Sequence, residues 1–103
     1  MSTTVDFIEY VCKQIEGIGV VRYRKMFGEY MVYVNDKPVL IVCDNTVYVK
    51  KLPELEELLA NAELGYPYKG AREHYTLEIE NADLSRQVVA IAETIIPLLK
   101  PKK

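Results

Sequence analysis

The stretch RKMFGEYMVYVNDKPVLIVCDNTVYVK, residues 24–50, decides the fold. Three runs rich in Val, Ile and Tyr, residues 30–34, 39–43 and 46–50, are separated by Asn-Asp-Lys-Pro and by Asp-Asn. Asn and Asp tolerate positive φ and bond their own backbone, so both connections read as hairpin turns. Immediately upstream, VVRYRKMF alternates, with Val21 and Tyr23 on one face and Arg22 and Arg24 on the other, the period of a half-buried strand. Gly28 offers the permissive backbone needed to turn between these strands. The spacing predicts a four-stranded antiparallel meander. Its third strand, VLIVC, is apolar at every position, so neither face of it is well solvated. The flanking strands carry Arg22, Arg24, Thr46 and Lys50 on one face. Helices are therefore expected over one side of the sheet, and a partner subunit over part of the other.

Outward from the meander the apolar period changes. Val5, Ile8, Val11, Cys12 and Ile15 recur at three and four, and Thr3 followed by Asp6 imitates a capping box, which predicts a first helix ended by Gly17 and Gly19. Pro53 suits the first turn of a second helix, with Leu55, Leu58, Leu59 and Ala62 on one face and Glu54, Glu56 and Glu57 in water. A long loop, GYPYKGARE (residues 65–73), precedes a last strand in which Tyr75, Leu77 and Ile79 alternate. Leu84, Val88, Ile91, Ala92 and Ile95 then mark a third helix, broken around Pro97 and followed by the basic tail LLKPKK. The expected fold class is α+β: a two-layer domain with an antiparallel sheet, a four-stranded meander plus one later strand, and three helices. Ile8, Val11, Val32, Leu40, Val42, Val47, Val49, Leu58, Leu77 and Ile91 are expected in its core.

At 103 residues the chain has the size of one domain, spanning residues 1–103, and sustains a core without staples. Thirteen basic against fifteen acidic side chains give a net charge of -2, which argues against broad electrostatic capture of nucleic acid or anionic membrane. No apolar run approaches the roughly 20 residues that span a bilayer, and MSTTVDF lacks the order of a signal peptide, so a cytoplasmic location is expected. Cys12 and Cys43 lie in apolar surroundings without the spacing of a metal knuckle and read as buried free thiols. No catalytic triad, metal cluster or phosphate loop is present, so no enzyme activity, cofactor or metal is expected.

A few residues invite a functional reading beside a plainer one. Met26-Phe27-Gly28 suits a partner-recognition knob, or a hairpin corner pinned to the core. His74, the single histidine, stands beside Glu73 with no Ser or Cys neighbour in sequence and reads as a solvated strand-edge residue rather than a general base. Arg22, Arg24, Lys25, Lys50 and Lys51, with Tyr48 between them, suit phosphate contact and base stacking if they converge; otherwise they form a solvated face that prevents edge pairing. Tyr66 and Tyr68, with Lys69 and Arg72, sit in the long loop where recognition residues concentrate, or cap the open end of the core.

Met26-Phe27-Gly28-Glu29-Tyr30, followed at fixed distance by Cys43-Asp44-Asn45 and Val49-Lys50, resembles the TfoX/Sxy N-terminal domain family. The loop YPYKGARE, the strand HYTLEIE and a terminal helix closing in a Pro-Lys tail extend the resemblance over nearly the whole chain. Asn35-Asp36-Lys37 replaces the family's usual Asp-Gly-Lys hairpin, and Met31 stands where a smaller residue is common. The resemblance implies an antiparallel sheet with helices on one side, no catalytic centre, and kinship with regulators of natural competence genes. Those regulators carry a further C-terminal domain and act with a cyclic-AMP receptor protein; this chain is expected to be a small stand-alone member. The favoured expectation is a non-enzymatic regulatory module, a homodimer working through a protein partner. Its homodimer interface is expected through the sheet or its edge, with Tyr23, Tyr33 and Tyr48 on neighbouring strands and tyrosine side chains near its centre. The alternative is a nucleic-acid-binding module using the basic strand face.

Overall fold

Two turns set the sheet. Asn35 and Asp36 have φ of 52° and 67°, and Asp44 and Asn45 have φ of 52° and 56°. Each pair thus places both central residues in the left-handed region, a twist that matches antiparallel strands. In the computed structural model, which describes residues 3–26 and 29–97, the first turn joins β2 (Glu29–Val34) to β3 (Lys37–Cys43), and the second joins β3 to β4 (Thr46–Lys50). β1 (Val21–Met26) precedes them, and two later strands follow, β5 (Leu64–Gly65) and β6 (His74–Leu77). The six strands pair antiparallel in the order β1-β2-β3-β4-β6-β5. The register shifts between Val32 and Tyr33, which pair with Leu40 and Pro38. Val39 is the extra residue of this bulge, and both it and Leu40 are buried.

Two helices cover one face of the sheet. In α1 (Val5–Gln14) the Thr4 hydroxyl accepts from the Phe7 amide at the first turn, and in α2 (Ala82–Ile95) the Asn81 side chain accepts from Leu84. Ile8 and Val11 of α1 and Val88, Val89 and Ala92 of α2 join Val32, Val34, Leu40, Val42, Val47, Val49 and Leu77 in one buried cluster. By alternation those sheet residues all point to the same side. The helices are tied to each other's ends: Gln14 donates to the Ile79 carbonyl (2.9 Å) and Arg86 to the Glu16 carbonyl (2.6 Å). Lys37 anchors the first turn to α2 by donating to the Glu93 carbonyl (2.8 Å), with its ammonium 3.3 Å from the Glu93 carboxylate.

The structure departs from the sequence expectation in particular places. Among the described residues the sheet has six strands rather than five, and there are two α-helices rather than three. Residues 53–62 form a 3-10 turn at Pro53–Leu55 followed by irregular turns, with one helical bond from the Leu59 amide to the Leu55 carbonyl (2.9 Å). The apolar pattern reports the burial of Leu55 and Leu59 correctly. A segment this short does not sustain a helical ladder by itself, and Glu54 and Glu57 repel across one turn, so the seating of the two leucines dictates the backbone. β5 arises in the loop because Leu64 and Gly65 pair with Tyr75 and His74. Thr3 is not the cap of α1; its hydroxyl accepts from the Asn45 amide (3.2 Å) and fastens the chain start to the second turn. Of the ten expected core residues, Leu58 and Ile91 are half-buried and the rest buried. No helix among the described residues is long and apolar enough to cross a membrane.

Candidate functional site

The sheet face turned away from the helices carries rows of side chains that register and alternation define. One row runs Arg24, Met31, Ile41, Tyr48 and Thr76 across five paired strands, and Arg22, Tyr33 and Pro38 form the next. Met31, Tyr33, Ile41 and Tyr48 are half-buried, although both helices lie on the opposite side. β3 is therefore shielded on both faces, as its uniformly apolar run implies, with Ile41 turned to the helix-free side.

At one end of this face Glu29, Cys43 and Tyr48 act on each other. Burial, a hydrogen bond to Glu29 and that carboxylate's charge push the Cys43 thiol up to about 12. The Tyr48 phenol is raised by burial, then by Cys43, Asp44 and Glu29. Cys12, on α1, is half-buried rather than buried, and desolvation followed by the nearby Glu9 charge pushes it up to about 11. Both cysteines are free. A thiol attacks as its thiolate, so neither is expected to react readily with a disulfide reagent near neutral pH in the folded protein, and labelling should track unfolding instead. Because the folded state favours the neutral thiols, their contribution to stability holds below the ordinary value of 9.0. It declines as pH rises toward about 11 and about 12. Fast stoichiometric labelling at neutral pH without unfolding would refute the expectation.

The basic residues do not converge. Arg22, Arg24 and Lys50 share the helix-free face, but β2 and β3 separate β1 from β4, a span of about 14 Å at ordinary strand spacing. Lys25 alternates to the helix side, and Lys51 pairs with Glu73 at 3.2 Å and lies 5.9 Å from the centre of the Tyr75 ring. Arg22 faces Asp36 at 3.6 Å in an exposed ion pair. Tyr23 parts from Tyr33 and Tyr48: it alternates to the helix side and packs edge-on against Tyr30, centroids 5.4 Å apart. Met26 is 37% exposed, so it does not pin a corner to the core, and Phe27 and Gly28 lie outside the described residues. Tyr66 and Tyr68 are exposed around a buried Pro67.

His74 overturns its sequence reading. It is 7% exposed, on a strand flanked by β4 and β5, and its Nδ1 lies 2.7 Å from the Arg72 carbonyl. Its Nε2 is buried with no hydrogen-bond partner among the described residues. The two-residue β5 makes the difference, because it converts an expected edge into an interior position. Gly65 permits this closeness: a Cβ there would stand 3.1 Å from the Tyr48 ring. Glu29, which sets the electrostatics around Cys43, was visible only as part of a turn motif. Among the described residues no three His, Cys, Asp or Glu side chains are grouped to hold a metal ion.

The family profile described as the TfoX N-terminal domain matches residues 13–94. The chain is also similar, at 31% identity over 105 residues, to an uncharacterised 12.7 kDa protein encoded in the trpE 5' region of Spirochaeta aurantia, covering 100% of this chain and 91% of that protein. The profile takes in the whole sheet, nearly all of α2 and the C-terminal end of α1, and the chain belongs to the TfoX N-terminal domain family.

Proposed function

We propose that the protein is a non-enzymatic, cytoplasmic regulatory module of the competence-regulator type, acting through protein–protein contacts at the helix-free face of its sheet, where two copies pair. The observation that carries this reading is the row Met31, Ile41 and Tyr48, apolar and amphipathic side chains grouped on a face to which neither helix contributes. Such a patch is typical of an interface, and tyrosines at its centre supply large contact area at low entropic cost. A two-fold pairing is the commonest closed arrangement for one repeated patch, and a stable one buries about 1,200 Å² or more. Light scattering is expected to give twice the chain mass at micromolar concentration, and a monomer mass there would reject the pairing.

A second reading is favoured by a separate observation. Arg22 and Arg24 share the face with Tyr33, and Lys50 shares it with Tyr48, a combination of cations and rings that suits single-stranded nucleic acid. The discriminating measurement is salt dependence: retention on RNA or DNA that falls steeply with added salt supports this alternative, because phosphate contacts release counterions, whereas an apolar interface is insensitive.

A further inference from the structure

We infer that the open edge of β1 is a strand-addition site for an extended segment of another protein in which acidic and aliphatic residues alternate. The site is distinct from the helix-free face and stands or falls independently of that proposal.

β1 ends the sheet, with no described strand beyond it, and all of its residues after Val21 are exposed. The Asn35 amide donates to the Val20 carbonyl (2.8 Å), which makes that pair a hydrogen-bonded one. Alternation then gives Arg22, Arg24 and Met26 to β2 and turns the backbone amides and carbonyls of Val21, Tyr23 and Lys25 outward. The edge therefore offers three residues' worth of backbone groups, the requirement for an incoming strand.

The two sides of that edge differ in chemistry. Toward the helices, a groove of about 630 Å³ separates α1 from β1, floored by Cys12, Val21 and Tyr23 and flanked by Glu9, Lys13 and Glu16. An incoming side chain there meets the apolar floor of Cys12, Val21 and Tyr23, where the rim charges Glu9, Glu16 and Lys13 offset one another, so an aliphatic residue fits best. On the other side the neighbours are Arg22 and Arg24. Among the described residues Arg22 has only the exposed Asp36 as an ion-pair partner, at 3.6 Å, and no carboxylate pairs with Arg24. Incoming residues on that side are best acidic, since opposite charges across neighbouring strands attract. Strand alternation then requires acidic and aliphatic residues in turn.

A second copy of the chain does not fit this edge. The antiparallel register that pairs all three outward residues of each β1, centred on Tyr23, sets Arg22 of each copy opposite Arg24 of the other, and like charges so placed repel. The same cations that block self-pairing select the acidic partner.

The test uses the intact protein and a short blocked peptide of alternating glutamate and valine. Binding should shift and protect the amides of Val21, Tyr23 and Lys25 in NMR and hydrogen exchange. It should weaken about tenfold or more in the double variant Arg22→Glu with Arg24→Glu, whose fold is checked by circular dichroism. Methylating the peptide nitrogens that face β1 should abolish binding, and this control leaves the protein unaltered. Equal binding of an alternating lysine–valine peptide, equal binding of the methylated peptide, or shifts confined to the helix-free face would overturn the inference. Concentration-dependent protection of the β1 amides without peptide would also overturn it, by identifying a second copy as the occupant.

Discussion

Leu40→Ala is expected to lower the free energy of unfolding by about 3 kcal/mol, within the range for truncating a fully buried leucine. Leu40 is 1% exposed, lies in a central strand opposite Val32, and belongs to the cluster shared by the sheet and both helices. A void there has walls from two layers, and neither collapses without disturbing the other. Ile41→Ala, one residue along the same strand, removes a half-buried side chain from the opposite face and should cost about 1 kcal/mol in the monomer. The pair is read from denaturant midpoints at unchanged m. Equal costs would show that the two faces are equally covered and would refute the one-sided placement of the helices.

Gly19→Ala is expected to cost about 2 kcal/mol, although the site is exposed. A Cβ at residue 19 would stand 2.5 Å from Asn35 Nδ2, 2.7 Å from Oδ1 and 2.8 Å from Cγ. The Asn35 amide has little room to yield: its Oδ1 accepts from the Val20 amide (3.0 Å) and its Nδ2 donates to Glu93 (3.3 Å). Its backbone is held at φ 52° in the turn. Relieving the clash therefore breaks two hydrogen bonds, each worth about 1 kcal/mol. Asn35→Gly removes the obstacle while keeping the turn conformation, so in that background Gly19→Ala should cost less than about 0.5 kcal/mol. Additive costs in the double variant would show that the contact is not the cause.

What the sequence disclosed follows from how each element is stabilised. The meander was legible because its strands alternate and its turns carry Asn and Asp, signals that are local. α1 and α2 were legible because their apolar faces repeat over ten residues or more. The segment after Pro53 misled because burial and hydrogen bonding share one periodicity in a helix, and here Leu55 and Leu59 meet the first requirement without the second. β5 was invisible because two residues have no period, and with it went the burial of His74. Of the candidate site, the shared face of Arg22, Arg24 and Lys50 was readable from alternation. The gap between β1 and β4, and the parting of Tyr23 from Tyr33 and Tyr48, depend on strand order and register, which composition does not carry.

The bonds that tie the two helices together join residues 65 and 70 positions apart. The hairpins of the meander close over a handful of residues, so they form early at small entropic cost. Bringing the chain's two ends together costs of order 4 kcal/mol in lost freedom before any contact repays it. Productive docking of α1 thus awaits a sheet that already presents Val32, Leu40 and Val42. The interval before it docks is the vulnerable period of this chain's biogenesis, with the part of the apolar sheet that α1 covers still bare and open to aggregation or to chaperone capture.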